Sequence, residues 1–233
     1  MIGAHAQEIK VIASGGLKAA CLELIPAFEQ ASGHRVKTVW AGSPDIMKRM
    51  QAGETVDLVV MPGAAIDELI KLGKVVAGSR VDLAKSGIGV AVRAGVSRPQ
   101  IGSANALKQA LLAASSIAYS SSASGAYLAG LFQRLGIADE LKPKIRQSPP
   151  GMPVGELIAR GEAEIGFQQI SELLPIAGID YLGPLSADIQ HFTVFSGGLH
   201  AGAKERQGAQ ALTEFIKSPA AAAGIRKSGM EPA

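Results

Sequence analysis

Ile9-Lys10-Val11-Ile12-Ala13-Ser14-Gly15-Gly16-Leu17-Lys18 carries the decision about the fold. The β-branched run predicts a strand over 9–13. Leu17, Cys21, Leu24 and Phe28 then recur at helical spacing and predict a helix over 16–31, closed by Gly33. A change of period from two to 3.6 across a few small residues is the start of a strand–helix unit. The pattern repeats downstream. A strand is expected over 36–41, a helix over 44–52 ended by Gly53, a strand over 56–60, and a helix over 64–72 ended by Gly73. Strand, helix, strand at this spacing implies right-handed crossovers and parallel pairing.

The second part of the chain follows the same rule. Residues 88–93 read as extended, 105–113 as helix, 116–119 as strand, 126–135 as helix ended by Gly136, 154–160 as helix and 164–168 as strand. Residues 192–196 alternate like a strand, and 205–217 carry Ala209, Leu212, Phe215 and Ile216 on one helical face. Ser218-Pro219 opens a last short helix, with proline where the first turn tolerates it. The extended runs at 88–93 and 191–196 are the expected crossings between two lobes. Lobe I takes residues 7–87 and 195–233, and lobe II takes 88–194, so the helix at 205–217 packs back on the first lobe.

Composition removes several functions. With 47% hydrophobic and 18% charged residues among 233, the chain can bury a core, resting on aliphatic rather than aromatic side chains (4%). The net charge of +3 is spread without a basic run, so no nucleic-acid partner is expected. Cys21 lies on the apolar stripe and reads as a small buried hydrophobe. Without CxxC or HExxH, and with His5, His34, His191 and His200 scattered, no metal site is expected. No apolar stretch reaches the roughly 20 residues that span a bilayer. Ala4-His5-Ala6 before Gln7 has the small-x-small form of a signal-peptidase site, from which export is expected.

Four junctions end a strand in small polar residues: Ser14-Gly15-Gly16, Gly42-Ser43-Pro44 with Ser43 as expected N-cap, Ser120 through Gly125, and Gln168-Gln169-Ile170-Ser171. Helix starts offer backbone N–H groups and partial positive charge to anions, and glycine lets a ligand approach the backbone. Each junction alone needs nothing beyond ordinary capping. Four of them, two in each half, point to a shared anion cleft. Ser14-Gly15-Gly16 lacks GxGxxG spacing and GK[ST] is absent, so no nucleotide cofactor is expected. Ser43 has no nearby histidine and GxSxG is absent, which argues against triad hydrolysis.

In order and spacing, these residues resemble the periplasmic molybdate-binding proteins. Ile12 through Lys18 is similar to their first strand and anion loop. Gly42-Ser43, then Ala52-Gly53 and Val56 through Val60, resembles their second loop and third strand. Arg160 through Gly166 and Phe215-Ile216-Lys217-Ser218-Pro219 resemble the approach to the hinge-proximal loop and the closing helices. The resemblance implies an α/β protein of two Rossmann-like lobes with a ligand cleft between them, the type II periplasmic-binding fold. It implies a monomeric, cofactor-free periplasmic protein that hands one small anion to the membrane component of an ABC importer. The implied ligand set is Ser14, Gly15, Gly16, Ser43, Met61, Ser120, Ser122, Ser124, Gly125, Met152 near a helix start, Gln168 and Gln169.

One segment departs from that pattern. Many family members carry a ligand-contacting tyrosine where this chain reads Phe167-Gln168-Gln169. Two amides and a serine-rich loop suit an organic di- or tricarboxylate better than a tetrahedral oxyanion. Periplasmic aconitate isomerases, which interconvert cis- and trans-aconitate, look like relatives of the molybdate-binding proteins, so a cofactor-free isomerase on the same scaffold is the alternative expectation. An allylic proton shift needs only a positioned base and charge stabilisation. Lys18, Tyr119, Glu172 and His191 are the candidate groups, and the sequence does not choose among them.

Overall fold

The computed structural model of the protein describes residues 7–149 and 151–233; the Ala4-His5-Ala6 motif lies outside the described residues. The chain divides into two compact units. One takes the chain through Ser86 and again from Val194 to Ala233; the other is Gly87–Thr193.

In the first unit, β1 (Glu8–Ser14) leads through a 3-10 turn (Gly15–Leu17) into α1 (Lys18–Ser32), then β2 (Arg35–Ala41), α2 (Ser43–Gln51), β3 (Leu58–Pro62) and α3 (Gly63–Lys71). β1 pairs parallel with β2 and with β3, so the ends of all three strands share one edge. Leu58, Val59, Val60 and Met61 are all buried, as expected of a parallel strand covered on both faces, whereas edge strand β2 alternates exposed and half-buried residues. Gly33 takes the left-handed conformation at φ 74° that closes α1, and its N–H donates to the Glu29 carbonyl. The stripe Leu17, Cys21, Leu24, Phe28 is buried. Burial pushes the Cys21 thiol up to about 12, which leaves it inert.

β4 (Val81–Arg93) crosses into the second unit, which contains α4 (Ala104–Ala113), β5 (Ile117–Tyr119), α5 (Ala123–Arg134), α6 (Ala138–Leu141), β6 (Ile145–Gln147), α7 (Val154–Ala159), β7 (Ile165–Gln169), α8 (Ile170–Leu173) and β8 (Ile179–Pro184). β5 lies parallel between β6 and β7, while β4 runs antiparallel to β7 and β8. Ile88, Val90, Leu107, Leu111, Leu128 and Phe167 are fully buried in its core.

β9 (Phe192–Leu199) returns to the first unit, followed by α9 (Arg206–Lys217), α10 (Pro219–Lys227) and the short β10 (Glu231–Pro232). β9 pairs antiparallel with β3. Ala209, Leu212 and Ile216 of α9 join the cluster of Leu24 and Phe28. Phe28 and Phe215 meet at 5.6 Å between ring centroids. Burying each large aliphatic side chain there stabilises by about 2 kcal/mol.

Several boundaries differ from the sequence reading, each for a local reason. α5 starts at Ala123, not at 126, and takes Ser124 and Gly125 into its first turn. A Cβ on Gly125 would sit 1.6 Å from the Ser120 carbonyl oxygen, so this turn closes only with glycine. Gly42, not Ser43, is the N-cap of α2. β3 begins at Leu58 because Asp57 is used elsewhere: its carboxylate accepts from the N–H groups of Lys204 and Glu205, where the chain enters α9, and of Lys10. The helix expected over 154–160 does begin at Val154, after Gly151 at φ 81° and Pro153 as cap, and ends at Ala159. The run at 88–93 is the far half of a thirteen-residue strand.

Candidate functional site

At the carboxyl edge of the first unit's sheet, Ser14 aligns with Ala41, and Ala13 with Val60. The Ser14, Gly42-Ser43 and Pro62-Gly63 strand ends therefore stand side by side, where open parallel sheets bind ligands. Ser14 is 4% exposed, and its Oγ has no hydrogen-bond partner among the described residues. An unpaired buried hydroxyl costs about 1–3 kcal/mol, so it calls for a partner that the fold does not supply. Gly16 lies under the Phe195 ring, where a Cβ would come within 2.1 Å. Ser43 is half-buried. Met61 has a different place from the others: its side chain is fully buried with Ile12, Ile46 and Ile66. Arg80, which sequence reasoning missed, lies against Gly63, but Asp67 at 2.6 Å and Asp82 at 2.9 Å already pair with its charge. Nothing in the local sequence around Arg80 signals that contact.

At the matching edge of the second unit, Tyr119 is in register with Phe167 and with Gln147, which gathers three strand ends. The hydroxyls of Ser120 and Ser122 are 2.5 Å apart, and those of Ser122 and Ser124 are 3.5 Å apart. Ser148 at the end of β6, also missed, hydrogen-bonds through its hydroxyl to the Met152 carbonyl and fixes the turn before α7. Met152 itself packs on the core.

The two amides divide their work. Gln168 accepts from the Val154 N–H through Oε1 at 2.8 Å, so its carbonyl end is engaged inside the unit. Gln169 donates through Nε2 to Thr193 Oγ1 at 2.8 Å, and its Oε1 is buried without a partner among the described residues. Burial pushes the Glu172 carboxyl up to about 7, with the Gln168 hydrogen bond opposing that rise.

The other titratable candidates are placed less suggestively. Lys18 is exposed at the start of α1. Tyr119 stacks edge-on against Phe132 at 6.0 Å, and burial raises its hydroxyl. His191 is exposed and stacks on Tyr127 at 4.5 Å. Among the described residues no cluster of histidine, cysteine or acidic side chains could hold a metal ion, and no helix is long and apolar enough to cross a membrane.

Residues 9–231 match the bacterial extracellular solute-binding protein family. The chain belongs to that family. It is 40% identical over 232 residues to an aconitate isomerase from a Pseudomonas species, covering 96% of this chain and 87% of that one. It is 27% identical over 235 residues to the molybdate-binding protein ModA of Azotobacter vinelandii, covering 97% and 90%. Among solved structures, a periplasmic molybdate-binding protein of Azotobacter vinelandii superposes with TM-score 0.79 at 19% identity, covering 95% of this chain and 98% of that chain. The fold is that of the periplasmic binding proteins, and membership of a solute-binding family makes a small solute the partner.

Proposed function

We propose that the protein binds a tricarboxylate of the aconitate type and interconverts its cis and trans isomers. The observation that carries this reading is the aconitate isomerase relative, 40% identical along nearly the whole chain. The site chemistry supports it. Aconitate presents three carboxylates and a methylene whose protons are acidified by the adjoining unsaturated system. Removing one builds charge on carboxylate oxygens, which fixed donors stabilise without metal or cofactor. Ser14 brings a buried hydroxyl lacking a protein partner, and Ser120, Ser122 and Ser124 bring a chain of hydroxyls. The ligand-binding residues in this reading are Ser14, Gly15, Gly16 and Ser43 in the first unit, and the 120–125 loop, Met152, Gln168 and Gln169 in the second. The protein acts as an exported, periplasmic monomer.

A second reading has its own support in the solute-binding family and the molybdate-binding relative: a carrier that delivers the same anion to an ABC importer. Incubation of cis-aconitate with a catalytic amount of protein separates the two, with trans-aconitate followed by proton NMR. Many turnovers per protein are expected. Saturable binding of cis-aconitate with no conversion supports the carrier. Stabilisation by molybdate exceeding that by every carboxylate in a thermal-shift series removes both carboxylate readings.

A further inference from the structure

We infer that Gln169, positioned by Thr193, takes one carboxyl of the substrate in its protonated form through its side-chain carbonyl, an assignment that rests on the tricarboxylate reading above. Two consecutive glutamines point to it. Side chains alternate across a strand, so Gln168 and Gln169 lie on opposite faces of β7. On one face the fold supplies the Gln168 carbonyl with the Val154 N–H at 2.8 Å. On the other, Gln169 is 2% exposed, its amide N–H donates to Thr193 Oγ1 at 2.8 Å, and its Oε1 has no partner among the described residues. A carbonyl oxygen accepts and never donates, so what it lacks is a donor. Gln169 shares its face with Phe167, whose ring meets that of Phe132 on α5 at 6.3 Å. α5 begins at Ala123, directly after Ser120 and Ser122, and β5 runs into that loop beside β7. The unsatisfied carbonyl therefore stands on the serine-loop side of the unit's carboxyl edge.

A tricarboxylate without hydroxyls offers a donor only where one carboxyl keeps its proton. Alone in water a carboxyl ionises at about pH 4. In aconitate two neighbouring carboxylates oppose the last ionisation, and a hydrogen bond to the neutral form opposes it further. The proton enters from solvent as the ligand binds and returns there on release. A protonated carboxyl also draws electrons from the adjoining unsaturated system more strongly than a carboxylate does. The methylene proton is then easier to remove, and the charge left behind spreads over oxygens that start neutral.

The charged and titratable groups around Gln169 have other engagements, with one exception. β4 carries none within two residues of Ile88, which lies opposite Gln169. On the α5 side, the Tyr127 hydroxyl donates to the Ile189 carbonyl, Arg134 and His191 lie against the Tyr127 ring, and Tyr119 packs edge-on against Phe132. Glu156 of α7, on the Gln168 face, pairs with Arg160 at 3.0 Å. Glu172 of α8 is the exception, a half-buried carboxyl lifted by burial to about 7, so its proton has to be separated by substitution.

The test is calorimetric titration of the full chain with cis-aconitate in buffers of different ionisation enthalpy, which counts the protons taken up. Wild type is expected to take up about one proton per ligand at neutral pH and to lose affinity by about tenfold per pH unit until the bound carboxyl ionises. Gln169→Met removes the acceptor at similar bulk, and is expected to bind at least about tenfold more weakly with no uptake. Thr193→Val frees the amide to turn its N–H end to the ligand, so uptake should fall below about half a proton. Glu172→Gln should leave the uptake in place. Wild type that binds cis-aconitate without taking up a proton overturns the assignment, whatever the stability of the variants. Uptake lost in Glu172→Gln and kept in Gln169→Met overturns it too, and uptake unchanged in Thr193→Val removes the positioning role. Tighter binding of citrate than of cis-aconitate, with no uptake by either, gives the carbonyl an alcohol as donor and overturns the protonated carboxyl. Wild type that binds no tricarboxylate overturns the assignment together with the reading on which it rests.

Discussion

Asp57 in the first unit and Glu172 in the second are two carboxyls in opposite surroundings. Asp57 is 4% exposed, and its two oxygens accept from the N–H groups of Lys10, Lys204 and Glu205 at 2.8–2.9 Å. Those donors replace the water that the carboxylate lost and hold the start of α9 at the head of β3. Glu172 is half-buried without such a ring of N–H donors among the described residues, and burial lifts its carboxyl to about 7. A carboxylate ringed by donors tolerates the loss of water, whereas one left short of them holds its proton more tightly. Both are acidic residues beside a strand of an α/β unit, and only their partners distinguish them.

The largest effect is expected at Asp57. Asp57→Ala removes the acceptor of three part-buried N–H groups and frees the α9 entry, and should lower the unfolding free energy by about 3 kcal/mol in urea titration. A loss below about 1 kcal/mol would remove the structural half of the comparison.

Glu172→Gln should change stability in the opposite direction, and only in part of the pH range. A carboxyl whose folded pKa lies near 7, above its ordinary value of 4.5, is protonated in both states at pH 4. As pH rises from 4.5 to about 7 the unfolded chain ionises first, so wild type loses stability across that window and no further above it. The glutamine variant escapes this loss. It should match wild type within about 1 kcal/mol at pH 4 and exceed it at pH 8 by at most about 3 kcal/mol. Destabilisation at both pH values would make Glu172 a second Asp57.

The sequence carried the β–α rhythm well because strands such as Leu58 to Met61, and the stripe Leu17, Cys21, Leu24, Phe28, are buried on regular faces that periodicity records. It lost β6 and β8, which are short and half-exposed, with no run of apolar residues to mark them. It misplaced the start of α5 because the reason is a tertiary contact, the Ser120 carbonyl against Gly125. At the site, Ser14 was legible as a small polar residue closing a buried strand. The division of labour between Gln168 and Gln169 was not, because it depends on partners at Val154 and Thr193, far from any local pattern. Lys18, Tyr119, Glu172 and His191 stood as equal candidates because exposure and ring partners, which set Lys18 and His191 apart, are not written in the local sequence.

The smallest effect on the empty protein is expected at Ser14, and it extends the comparison from carboxyls to hydroxyls. Ser14 Oγ is buried without a partner among the described residues, whereas Ser122 Oγ lies 2.5 Å from Ser120 Oγ. Ser14→Ala removes a polar atom that the fold leaves unsatisfied, so ligand-free stability should stay within about 1 kcal/mol of wild type or rise. Ser122→Ala breaks an existing hydrogen bond and should cost about 1 kcal/mol in the same measurement. With cis-aconitate the order reverses for Ser14. A hydroxyl donating to a charged oxygen in a site shielded from water is worth about 1–3 kcal/mol, so calorimetry on Ser14→Ala should show binding weaker by about 5- to 150-fold. Enthalpy should carry much of that loss, because the same apolar surface is buried in both proteins. A Ser14→Ala protein that binds cis-aconitate normally yet melts earlier when empty would return this hydroxyl to the structural side, beside Asp57.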